Sequence, residues 1–175
     1  MQSPIIPQPK VIRHMLHDDG QFPNSNLFLL IYKEAIKLPG NDSSVFKKIF
    51  KSNNWTNSWL NGIYDYHHYH SITHEVLGIY KGHANVQFGG PNGIAEDVSK
   101  GDVIIIPAGV AHRNVTPGSP FKCVGAYPDG MDYDIKKGEP GERPEADNNI
   151  KKVPLPEKDP VYGSDGPLIL NWAIR

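Results

Sequence analysis

A lone cysteine, Cys123, rules out an internal disulfide and with it the small oxidised scaffolds that depend on one. Long apolar runs are missing too. The longest, residues 27–32 and 103–107, fall far short of the ~20 residues needed to cross a bilayer. The opening Met1-Gln2-Ser3-Pro4-Ile5-Ile6-Pro7 has neither a basic head nor a long apolar stretch, so no signal peptide is expected. Nor is there an excess of one charge: 18 Lys and Arg stand against 19 Asp and Glu, a formal net charge of −1. Nucleic acid and anionic membrane surfaces favour a clear basic excess, so neither is an expected partner. The expectation is a soluble, cytoplasmic chain.

What the chain does hold is turn-forming residues. Gly 17 and Pro 16 make 33 of 175 residues, about 19% against a typical ~12%. With 38% hydrophobic and 21% charged residues, this is globular composition rich in tight turns, as many short strands require. At this length a single domain, 1–175, with one real core is expected.

Three zones differ in texture. Residues 1–61 carry the one helix signal: Asp42 or Ser43 can cap it, and Val45, Phe46, Ile49 and Phe50 form one apolar stripe. Residues 11–16 and 27–33 read as strands before it, and Trp55 and Trp59 as core anchors after it. Residues 62–127 read as strand and turn throughout, with strands at 63–70, 75–80, 84–88, 103–106, 112–115 and 121–127. Six strands at that spacing indicate an all-β sandwich or barrel. Beyond Tyr127, both helix and strand signals fade, so 128–166 reads as a long irregular C-terminal arm. Its apolar end, 167–172, can dock back on the body and pin the terminus.

Four of the eight histidines fall within eight residues: His67, His68, His70 and His74. On a strand His68 and His70 share one face, close enough to chelate one ion, and His67 points to the other. Glu75 follows five residues after His70, far enough for the chain to bend and return a carboxylate. Imidazoles with one carboxylate suit a first-row transition metal such as iron, manganese, nickel, copper or zinc. By the same parity Tyr66 and Asn114 should line the site, with Val86 or Phe88 and Ile104 or Ile106 as apolar wall. Cys123 reads as a small buried hydrophobe.

The wider frame is Gly62, five residues, His68-Tyr69-His70, four residues, Glu75, six residues, Gly82. After an 18-residue gap come Gly101, five residues, Pro107-Ala108-Gly109, two residues and His112. This two-part pattern resembles that of the cupin superfamily over residues 62–127. One departure is Thr116, where the second motif usually has an asparagine. The string 67–78, with Gly125-Ala126-Tyr127-Pro128 and Asp159-Pro160-Val161-Tyr162-Gly163, is similar specifically to the small bacterial cupins of the YjlB type. The resemblance implies a double-stranded β-helix, the jelly-roll barrel, here with one N-terminal helix. It also implies one divalent transition metal held by His68, His70, Glu75 and His112; Tyr66, on the face of His68 by parity, and His74, beside Glu75, are the candidate catalytic residues.

Three functions fit such a site. They are a metal-dependent enzyme of oxygenase or isomerase type on a small organic molecule, a metal-containing binding or sensing protein, and a storage-type cupin. The intact ligand set argues against the last. The strands at 11–16 and 27–33 precede a barrel that already has strands enough, and extra strands commonly cover an edge at home or on a partner. A homodimer is expected, so light scattering at high micromolar concentration should give twice the 19.5 kDa chain mass.

Overall fold

The computed structural model describes residues 2–173. Nine strands form two antiparallel sheets. In chain order they are β1 (Lys10–His14), β2 (Leu29–Lys33), β3 (Trp55–Asn61), β4 (Glu75–Lys81), β5 (His83–Phe88), β6 (Ile94–Ser99), β7 (Val103–Ile106), β8 (His112–Asn114) and β9 (Lys122–Pro128). The larger sheet runs β1-β2-β7-β4-β9-β3 and the smaller β6-β5-β8. The mostly β architecture is the expected jelly roll.

The central strands of the larger sheet are buried on both faces, which is why Leu29-Leu30-Ile31-Tyr32 and Val103-Ile104-Ile105-Ile106 read as unbroken apolar runs. Alternation sends their side chains to two cores. Leu29, Ile31, Leu77, Ile104 and Ile106 face the smaller sheet and pack on Val86, Phe88 and Val98, forming the barrel interior. Leu30, Tyr32, Val76, Val103 and Ile105 face outward, where helices cover them. Helix α1 (Ser43–Ser52) begins where expected: Asp42 accepts from the Ser44 amide at 2.9 Å, and Phe46, Ile49 and Phe50 are buried.

Two strands lie outside the sequence expectation. β3 carries Trp55 into the outer core, while half-buried Trp59 turns to the cavity described below. β6, Ile94-Ala95-Glu96-Asp97-Val98-Ser99, is a charged edge strand whose composition blends into the preceding turn. Conversely, residues 63–70 are not a regular strand. They bend at Asp65 and Tyr66 and then run extended as a ribbon held by single bridges, His68 to His112 on one side and Tyr69 to Lys136 on the other. No neighbouring strand lies alongside long enough to build a ladder.

The C-terminal arm is irregular over most of its length, as expected, but not throughout. It contains α2 (Glu145–Lys152) and α3 (Pro167–Ala173). α2 has Glu145 and Asp147 in its first turn and Lys151 and Lys152 in its last, the arrangement that opposes the helix dipole. Its burial is slight, limited to Ala146 with Ile150 packed against Phe22 and Tyr69, so no apolar stripe announces it in the sequence. α3 begins with a proline, as first helical positions tolerate, and seats Leu168 and Trp172 in the outer core.

A buried carboxylate ties this end down. Asp159 accepts from the Tyr32 hydroxyl at 2.5 Å and from the amides of Val161, Tyr162 and Leu168 at 2.8, 3.0 and 3.0 Å. Truncating it would strand four donors away from water, each worth about 1–3 kcal/mol. Asp159→Ala should therefore lose at least about 4 kcal/mol in urea unfolding, and Asp159→Asn, which keeps one acceptor oxygen, distinctly less.

Candidate metal centre

The ribbon 63–70 places the histidines. His68 exchanges backbone hydrogen bonds with His112 at 3.2 and 2.9 Å, and the Tyr69 amide donates to the Lys136 carbonyl at 2.9 Å. Successive side chains therefore alternate as on a strand. His68 and His70 face a cavity in the barrel mouth, while His67 and Tyr69 turn to Phe22, with ring centroids 5.6 and 6.0 Å away. Glu75, the first residue of β4, faces the same cavity beside Leu77. His112 arrives from the turn Pro107-Ala108-Gly109. There Gly109 has φ +96°, and a Cβ would lie 2.2 Å from the Asn24 carbonyl oxygen, so the turn closes only with glycine.

One nitrogen each from His68, His70 and His112 lies within 4.8 Å of the others, and all three residues are buried. Their Nδ1 atoms are taken. His68 bonds to the Tyr66 carbonyl at 3.0 Å, His112 to the Val110 carbonyl at 3.0 Å, and His70 to the Asp134 carbonyl. A carbonyl can only accept, so each Nδ1 carries the proton and each Nε2 presents a lone pair. Glu75 Oε1 lies 3.4 Å from His70 Nε2 and 3.5 Å from His112 Nε2.

Three imidazole nitrogens and a carboxylate gathered this closely call for positive charge among them, a proton on His70 or a bound cation, and the donor set fits a metal ion. Burial and the neighbouring His112 push His68 down to about 3, leaving it neutral near pH 7. Burial alone would lower His70 and raise Glu75. Their mutual attraction overrides it, setting His70 above the ordinary imidazole range and Glu75 below the ordinary carboxylate range.

The cavity has a volume of about 160 Å³. Trp59, Tyr127, Tyr133 and Ile135 form much of its wall, and none of them is among the wall residues expected from the sequence. Trp59 fits because Gly125 on β9 has no side chain: a Cβ there would sit 2.1 Å from the indole. Its Nε1 donates to the Tyr127 hydroxyl at 2.8 Å. The expected wall residues Val86, Phe88, Ile104 and Ile106 instead fill the barrel core, and Asn114 caps its own turn by accepting from the Thr116 amide at 2.8 Å. Cys123 is fully buried with its thiol pushed upward by burial.

The two candidate catalytic residues lie apart. Tyr66 stands at the rim, its ring 5.6 Å from that of His68 and stacked on Tyr64 at 4.9 Å, with Lys137 Nζ 4.8 Å above it. His74 lies on the other side of the sheet, beside Trp172 at 4.7 Å. Its Nδ1 accepts from the Ala108 amide at 2.9 Å, and burial lowers it to about 4. It does not line the cavity.

The family model described as Cupin matches residues 61–128. An uncharacterized protein, YjlB of Bacillus subtilis (strain 168), is 43% identical over 156 residues, 89% of this chain and 92% of its own. The chain belongs to the cupin superfamily. Within it, the likeness over nearly its full length makes it a cupin of the YjlB type. Among solved structures, it is similar to an acireductone dioxygenase from Bacillus anthracis with a cadmium ion in its active centre, at 15% identity and a TM-score of 0.40. That match covers 70% of this chain and 80% of the other. It is also similar to procruciferin, an 11S globulin from Brassica napus, at 16% identity and a TM-score of 0.40. That match covers 70% of this chain and 30% of the globulin, so the chain spans under a third of the globulin's length.

The arm enters the site through Asp134. Its carbonyl holds His70, and its carboxylate accepts from the Ser71 amide at 2.7 Å and from the Ser71 hydroxyl. Losing a group that orients a ligand typically costs 10–100-fold in metal affinity. Asp134→Ala keeps that carbonyl but cuts the Ser71 bonds that hold it in place, and should weaken zinc or cobalt binding up to about tenfold in competition titrations, with the far-UV circular dichroism unchanged.

Proposed function

We propose that the chain is a metal-dependent cupin that binds a small organic molecule in the barrel mouth and acts on it by oxygenase or isomerase chemistry. Glu75 joins His68, His70 and His112 as the fourth ligand of one divalent ion, with iron, manganese, nickel and zinc all suited to such donors. The carrying observation is the tautomer set: all three Nδ1 atoms are held by carbonyls, so all three Nε2 lone pairs converge beside a buried carboxylate. When bound, such an ion supplies Lewis acidity and, where it is redox-active, electron transfer to the ligand.

The chain's own residues do the rest. The backbone carbonyls of Tyr66, Val110 and Asp134 fix the imidazoles before any ion arrives. Trp59, Tyr127 and Tyr133 screen the site from water, and Tyr66 at the rim meets a ligand on entry. A non-catalytic binding or sensing protein is the second reading. It is favoured by the position of His74, which leaves no imidazole beyond the ligand set on the cavity wall. A second copy of the chain is the proposed protein partner, supported by β1, which stands at the edge of the larger sheet.

Protein purified without a histidine tag should carry close to one equivalent of transition metal by mass spectrometry. The His68→Ala, His112→Ala double variant should carry almost none, and His67→Ala a normal load. Full occupancy of the double variant would refute the metal reading. Oxygen uptake or product formation with catechols, diketones and sugars separates the enzyme from the sensor, which binds without turnover.

A further inference from the structure

Among the described residues that line the cavity, none is lysine or arginine, and Glu75 is the sole acid. Asn61 is the polar neutral exception, its side-chain oxygen accepting from the Gly62 amide at 2.8 Å, and much of the remaining wall is apolar or aromatic: Leu60, Ile63, Leu77 and Ile135 beside the tyrosines and Trp59. Lys137, the cation beside the rim, is exposed and lies over the Tyr66 ring. Charge inside the cavity must therefore balance at the metal centre itself. A divalent ion with three neutral imidazoles and one carboxylate carries a single net positive charge. One more negative charge brings the buried site to neutrality. A second would remain in the cavity with no counter-charge on the wall and so be disfavoured.

The hydrogen-bond inventory adds a direction. The indole Nε1–H of Trp59 can only donate, so the Tyr127 oxygen accepts and its own O–H is left to donate toward the Glu75 carboxylate beside it. Tyr127 is buried, lines the cavity, and has Glu75 as its neighbouring acceptor. An anionic oxygen entering beside Glu75 comes within reach of that hydroxyl.

Building on the metal reading above, we infer that this cavity selects a singly charged oxygen anion with an apolar body, such as a small carboxylate, enolate or phenolate, and that Tyr127 donates a hydrogen bond to it. Dicarboxylates and phosphorylated sugars are disfavoured by the absence of any cation on the wall.

The test uses the full chain loaded with cobalt(II), whose visible spectrum reports its ligands. Isobutyrate and benzoate should perturb the spectrum with dissociation constants at least tenfold below those of malonate and glucose 6-phosphate. Equal or tighter binding of malonate or glucose 6-phosphate to cobalt-loaded protein would overturn the inference and leave the metal reading standing. Failure of the wild-type chain to take up cobalt at all would overturn the metal reading itself, and this inference with it, before any ligand is added.

Ile135→Arg places a cation on the half-exposed rim and should shift the isobutyrate-to-malonate preference about tenfold toward malonate. An unmoved ratio would overturn the assignment of selectivity to this wall. Tyr127→Phe, compared with wild type at full cobalt loading, should bind isobutyrate about five- to tenfold more weakly. Unchanged isobutyrate affinity would overturn the donor role.

Discussion

Each imidazole of the cluster gives one nitrogen to a backbone carbonyl, and the rest of the site follows from that arrangement. A histidine free to choose its tautomer can place its proton on either nitrogen. Once Nδ1–H is committed to the carbonyls of Tyr66, Val110 and Asp134, all three rings present the same bare nitrogen inward. Two of those carbonyls lie two residues before their own histidine, so ring and backbone move together. The third comes from 64 residues further along, so His70 is oriented only when the arm is in place.

The large sheet makes this geometry rigid. Its outward core, under α1 and α3, and its inward core, against the small sheet, leave strands β2, β4, β7 and β9 with no freedom to slide, because a one-residue slip would exchange the two faces. Glu75 and His74 show what that register decides. They are adjacent in sequence and opposite in face: one is a carboxylate beside two imidazoles, the other a ring against Trp172.

Much of this was legible in the sequence, and the misses have physical causes. Parity placed His68 and His70 on one side and His67 on the other, although residues 63–70 form no true strand, while Glu75 came from the motif and a bend of the chain. Alternation follows from an extended backbone and does not need a ladder. The wall was read less well, because parity from the ligands pointed to Asn114, Val86 and Phe88, whereas Trp59, Tyr133 and Ile135 come from segments with no spacing relation to the histidines. A tryptophan in a short strand and a small residue facing it, here Trp59 and Gly125, is a pairing that one sequence does not reveal. Helix α2 was missed because it buries so little, though its acidic start and basic end carried a signal that apolar periodicity alone overlooks. β6 was hidden by its charges.

The far-off origin of Asp134 has a thermodynamic side. In the unfolded chain only His68, His70 and Glu75 lie near one another; His112 is 37 residues past Glu75, and Asp134 is further still. An ion meeting that chain finds a loose local chelate with free tautomers, whereas the folded chain offers the completed cage. The difference between those two affinities enters directly into the folding equilibrium, growing with the logarithm of free ion concentration. An ion in the proposed centre would thus act as ballast for the whole topology, holding the barrel and the arm to one another.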